Sequence, residues 1–210
     1  MAENERGLTP ANENPWYVLM TLYGEQDGDE VEDPLHEKNR AAWNAWSCQA
    51  MDDEARAEAA VSSRVMVAEL SAWPALKAEV TELHRAAMRR RNGAGFAYPG
   101  LPDVADPVTM GRVAFVQRLV MRGAVFSGEA RFDLATFSGE ARFDSATFSR
   151  DARFGSATFS GEAWFGSATF SGVAQFGSAT FSGEARFGSA TFSGDAGFDS
   201  ATFSGQAGFN

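Results

Sequence analysis

Between Phe126 and Asn210 the chain repeats itself every eleven residues, on the consensus A-T-F-S-G-E-A-R-F-D-S. The phenylalanines are Phe126, Phe132, Phe137, Phe143, Phe148, Phe154, Phe159, Phe165, Phe170, Phe176, Phe181, Phe187, Phe192, Phe198, Phe203 and Phe209, at spacings that alternate six and five. Alanine lies two positions before each, from Ala124 ahead of Phe126 to Ala207 ahead of Phe209. An eleven-residue period suits a right-handed helical supercoil. However, at roughly 100° per residue, steps of five and six turn about 140° and 240°, which splits the phenylalanines into two stripes. Each repeat also carries glycine, serine, threonine and phenylalanine, all poorer helix formers than alanine. Helix is excluded.

Strand geometry fits. In A-T-F the alanine and phenylalanine point to one face and the threonine to the other. The polar S-G-E or D-S that follows is turn chemistry, with glycine free to take positive φ. So short a strand cannot stand alone, whereas stacked coils bury each phenylalanine against the coils above and below.

Ala-x-Phe units at five-residue spacing resemble the pentapeptide-repeat family. The resemblance implies a mainly β fold, a right-handed quadrilateral β-helix with the central residue and the one two before it inward, four units to a coil. Here every second unit is a hexapeptide (Ala135-Thr136-Phe137-Ser138-Gly139-Glu140), so a coil grows to 22 residues with a wider corner on alternate sides. Four phenylalanine ladders follow, among them Phe132, Phe154, Phe176 and Phe198, with rungs about 4.8 Å apart. Stepping back from Phe126 in the same register lands on Met121, Phe115, Met110 and Val104, with Leu119, Val113 and Val108 two before the first three. These bulkier residues predict a degenerate first coil and a solenoid that starts near Val104. The expected division is a helical region with its linker over 1–103 and the solenoid over 104–210. At Phe209-Asn210 the sequence stops in register with no polar cap, and an open edge invites pairing. Either this end docks on a second copy, giving a homodimer, or the sequence is a truncated product.

The net charge of −10 argues against binding a phosphate backbone, so no direct nucleic-acid contact is expected. A single cysteine, Cys48, forms no internal disulfide and reads as a small buried residue in a reducing, cytoplasmic setting. The opening Met-Ala-Glu-Asn-Glu-Arg is no secretory signal, and the longest apolar run, Trp16–Met20, is too short to span a membrane.

Upstream of the repeats, residues 1–13 read as polar and frayed. Asn14-Pro15 starts a helix whose Trp16, Leu19, Met20 and Tyr23 form one apolar stripe ending at Gly24. An acidic loop, Glu25–Asp33, precedes a second helix from Asp33-Pro34 to about Met51, and Asp52-Asp53 opens a third. In the fourth, Trp73, Leu76, Val80, Leu83 and Ala87 recur three and four apart before Arg89–Arg91 and an Asn92-Gly93 stop. Ala94–Pro107 reads as a linker. The helices either form a small bundle or lie over the mouth of the solenoid. The stretch N-P-W-Y-V-L with L-H-E-K-N-R-A-A-W-N-A-W also resembles a segment that precedes such repeats in other bacterial proteins.

No catalytic or cofactor motif stands out, and no enzyme activity, cofactor or metal is expected. His36 and His84 lack a second ligand at metal spacing and read as surface or capping residues; the repeated serines are turn residues. Ala55–Leu70 faintly resembles a helix-turn-helix, but its second helix offers Val65, Met66, Val67, Ala68 and Glu69 where a groove-reading helix needs basic or amide side chains.

The leading expectation is a non-catalytic scaffold or protein-interaction module with its partner unnamed. Arg131, Arg142, Arg153, Trp164, Gln175 and Arg186 point outward ahead of alternate phenylalanines, and Trp164, with Arg142, Arg153 and Arg186, is the candidate contact. The family resemblance raises an alternative, a DNA-mimicking inhibitor of a type II topoisomerase. Residues 126–210 carry nine acidic and five basic residues, a net of −4, which is weak for a duplex mimic. A further reading takes the threonines literally. Thr136, Thr158, Thr180 and Thr202 would stack on one face and Thr147, Thr169 and Thr191 on the opposite one, an array that resembles ice-binding surfaces although serine fills its second column.

Overall fold

The computed structural model describes residues 7–27, 30–93 and 95–210. The first six residues, Gly28 and Asp29 of the acidic run, and Ala94 at the start of the linker lie outside the described residues. From Val108 the chain winds into a β-solenoid of about five coils, preceded by five helices. Its strands form four parallel sheets, one to each wall. Each strand pairs with the one 22 residues on, as Thr136 with Thr158, Thr180 and Thr202.

We number the walls in chain order. Face I begins at β2 (Val108–Thr109), face II at β3 (Val113–Phe115), face III at β4 (Leu119–Val120) and face IV at β5 (Val125–Phe126). Face I therefore stands opposite face III, and face II opposite face IV. Inside, the phenylalanines stack face to face within each column, at centroid separations from 4.6 Å (Phe137–Phe159) to 5.2 Å (Phe143–Phe165). Across the interior the columns of faces I and III meet edge-on, as Phe143 and Phe154 do at 5.7 Å. Both arrangements suit the aromatic quadrupole. The rings fill the interior, leaving room only for alanine at the second inward position. Met110, Phe115 and Met121 continue the core upward, and Val104 packs against it half-buried. Phe192, Phe198 and Phe203 are partly buried, and Phe209 is exposed.

The corners depart from expectation. At the tight ones the carbonyl of Phe143 accepts the N–H of Ala146, and Ser145 between them has a φ of 52°. That is the turn whose third position requires positive φ and favours glycine, yet serine occupies it at 145, 156, 167, 178, 189 and 200. The wide-corner glycines serve a different need. A Cβ on Gly161 would sit 2.7 Å from the carbonyl carbon and oxygen of Gly139 in the coil above. Close stacking, not backbone handedness, demands glycine there.

Residues 7–13 are not frayed. Thr9–Pro10 forms β1, which pairs in parallel with Val113–Ala114 and extends face II. Its proline loses no ladder bond by sitting at an edge. Helix α1 (Pro15–Met20) is capped by Asn14, whose Oδ1 accepts from the amides of Trp16 and Tyr17. It ends at Met20 rather than Gly24 and is buried on every side. Tyr17 lies on Phe115, Trp16 on Trp46, and Val18 against Ala87 and Met88. Helix α2 (Asp33–Ser47) stops short of Met51. Helices α3 (Asp53–Ser63), α4 (Val67–Leu70) and α5 (Trp73–Asn92) follow, with Asp52 and Gly93 at the expected caps. Of the two arrangements left open, the helices lie over the mouth of the solenoid.

Candidate interaction surface

Face IV is the shortest sheet, and the edge of β5 would be bare without α2. That helix meets it with side chains that imitate a strand. Asn44 accepts from the amide of Val125 at 2.7 Å and donates to the carbonyl of Gly123 at 3.1 Å. The indole of Trp43 donates to the carbonyl of Val125, and the hydroxyl of Ser47 accepts from the amide of Ser127. The ring of Trp43 continues the Phe126 column at 5.2 Å. Sequence reasoning passed over Asn44, which stands within the buried stretch Ala42–Ser47 of α2.

The outward residues form two separate columns because consecutive eleven-residue units stand half a coil apart. Arg142, Trp164 and Arg186 lie side by side on face III. The indole of Trp164 is sandwiched between the guanidinium groups of Arg142 at 4.8 Å and Arg186 at 3.9 Å, a favourable arrangement of cation and ring face. Its Nε1 donates to Glu162 at 2.9 Å. Arg186 donates twice to Glu184, at 2.6 and 2.8 Å, and this holds the carboxyl below its usual range. Arg142 pairs with Glu140 at 3.1 Å. Arg153 is not part of this group. It stands on face I with Arg131, and both pair with Glu129 at 2.8 Å. The hydrogen bond from Arg131 holds the Glu129 carboxyl low.

The histidines are buried, contrary to expectation. His84 is fixed at the α1–α5 contact, with Nε2 3.0 Å from the carbonyl of Pro15 and Nδ1 2.9 Å from the hydroxyl of Tyr98. Burial lowers its pKa. His36, 2 % exposed, belongs to α2 and faces the backbone of Val120 and Arg122. Burial, and then the charges of Arg122 and Arg40, push it down to about 4. Cys48 is free and buried, and burial pushes its thiol up to about 12. Among the described residues no three His, Cys, Asp or Glu side chains are grouped to hold a metal. The faint helix-turn-helix dissolves, because α4 is four residues long and its Glu69 is spent on Arg40 and Asn44. Among the described residues no helix is long and apolar enough to cross a membrane.

A family model described as pentapeptide repeats (9 copies) matches residues 122–169 and 165–210. This stretch belongs to the pentapeptide-repeat family. The pentapeptide-repeat coils thus carry both outward columns, while the helices that seal them lie outside the match. No curated protein and no solved structure matches the chain.

Proposed function

We propose that this pentapeptide-repeat protein is a non-catalytic, cytoplasmic bacterial scaffold in which the helical region (1–103) seals a rigid rod (104–210) that presents side chains to a protein partner. The observation that carries the reading is the ribbon Arg142–Trp164–Arg186 on face III. A large aromatic side chain held between two guanidinium groups loses little freedom on binding, which is what an interface anchor needs. The test is capture from the native host lysate with full-length wild type and Trp164→Ala as paired baits. A protein retained by the first and lost by the second supports the reading; equal recovery removes face III. The full chain is the proper bait because α2 covers the edge of β5.

Charge pairing favours this over duplex mimicry. The arginines of faces I and III neutralise the carboxylates beside them, so the walls lack the unbroken negative potential that a topoisomerase reads in DNA. Inhibition of gyrase supercoiling by the purified protein would reverse that preference. The last coil, with Phe209 exposed, is where an end-to-end homodimer would form; sedimentation at rising concentration tests it.

A further inference from the structure

Faces II and IV carry the same Thr-Phe-Ser motif, but the chain occupies only one of them. On the upper coils of face IV, Ser63 bonds Thr147 at 2.6 Å, Ser47 bonds Ser127, and at the adjoining corner Arg64 reaches Ser167. Opposite, face II presents two parallel ranks, threonines from Thr136 to Thr202 and serines from Ser138 to Ser204, every 22 residues. Among the described residues none of these hydroxyls has a hydrogen-bond partner within the protein. The Ala-Thr-Phe-Ser strips that build the face contain no charged side chain.

The ranks are regular in both directions. Along the rod they follow the stacked rings beneath, 4.6 to 4.7 Å apart. Across it, threonine and serine are two extended residues apart, about 6.6 Å. The serines are held in the ladder by their own amides, as Ser160 is by the carbonyl of Phe137 at 2.8 Å. Charged groups keep disordered, strongly held hydration shells, whereas a neutral hydroxyl both donates and accepts as water does. Ordering each water costs freedom; a rigid array that repeats one environment places successive waters in a single lattice geometry.

We propose that face II is an ice-binding surface, which holds a sheet of ordered water in register with a crystal face through its threonine and serine hydroxyls. It is separate from the protein-contact ribbon of face III, so either reading can fail alone. The experiment measures thermal hysteresis and ice shaping with the full-length protein. Wild type is expected to shape ice and depress its growth temperature. The outward double substitution Thr158→Lys/Thr180→Lys is expected to lose this activity with an unchanged melting curve, and Thr169→Lys on face IV to keep it. Ser160→Thr/Ser182→Thr, which supplies the missing methyl groups, is expected to raise it. Absence of ice shaping by wild type overturns the proposal, as does full activity in the face II lysine variant.

Discussion

Serine and glycine look interchangeable as turn residues in this repeat, yet the backbone asks opposite things of them. Ser178 takes positive φ, for which an L side chain is poorly suited. Gly161 does not, but its missing Cβ is what lets one coil rest on the next. Gly161→Ala is accordingly expected to lower stability by roughly 1–3 kcal/mol through overpacking. Ser178→Gly relieves a strained φ but gains unfolded-state freedom, and should stay within about 1 kcal/mol of wild type. Parallel thermal and urea melts of the two variants check the contrast. Propensity could not reveal the exchange of roles, because both residue types mark turns; only the distance between coils distinguishes them. The histidines eluded sequence reading for a similar reason. His84 completes the Val80–Ala87 face of α5, and its polarity hid a buried position that two hydrogen bonds make tolerable.

Among the elements, α2 replaces a strand. Its side chains satisfy the outer edge of β5, so the sheet on face IV can begin there without an exposed row of backbone groups. Asn44→Ala would leave the Val125 amide and the Gly123 carbonyl unpaired, at about 1–3 kcal/mol for each buried group. The expected outcome is a loss of about 2–6 kcal/mol, with faster hydrogen exchange at Val125 than at Thr169, two strands further along the same face. Equal exchange at the two sites would show that the amide of Asn44 is not what closes the edge. Helix starts were legible because Asn14-Pro15 and Asp52-Asp53 act locally. Helix ends at Met20 and Ser47 were not, since they are set by where the chain must turn to cover the solenoid. The burial of α1 on all sides likewise depends on three neighbours that no periodicity encodes.

For the whole molecule, the strict phenylalanine period allows any coil that is a multiple of eleven residues, and the 22-residue coil followed from the four units per coil that the family resemblance implies. The same period did not reveal that the outward arginines divide between opposite walls, which follows only once the coil closes. Stability should grade along the rod. Phe165, sealed between coils, is expected to cost roughly 3–5 kcal/mol on truncation to alanine. Phe209, 55 % exposed, should cost about 1 kcal/mol or less. Comparing the melting transitions of Phe165→Ala and Phe209→Ala measures the gradient.

The half-coil relation between successive units also makes this gene a two-position switch for duplication. Copying 22 residues lengthens the rod and leaves every wall as it was. Copying eleven keeps the phenylalanine core in register but sends all later side chains to the opposite wall, so that an extra unit between Arg153 and Trp164 would part Arg142 from Trp164 and Arg186. A lineage that slips by one unit therefore redraws its surface without disturbing its interior.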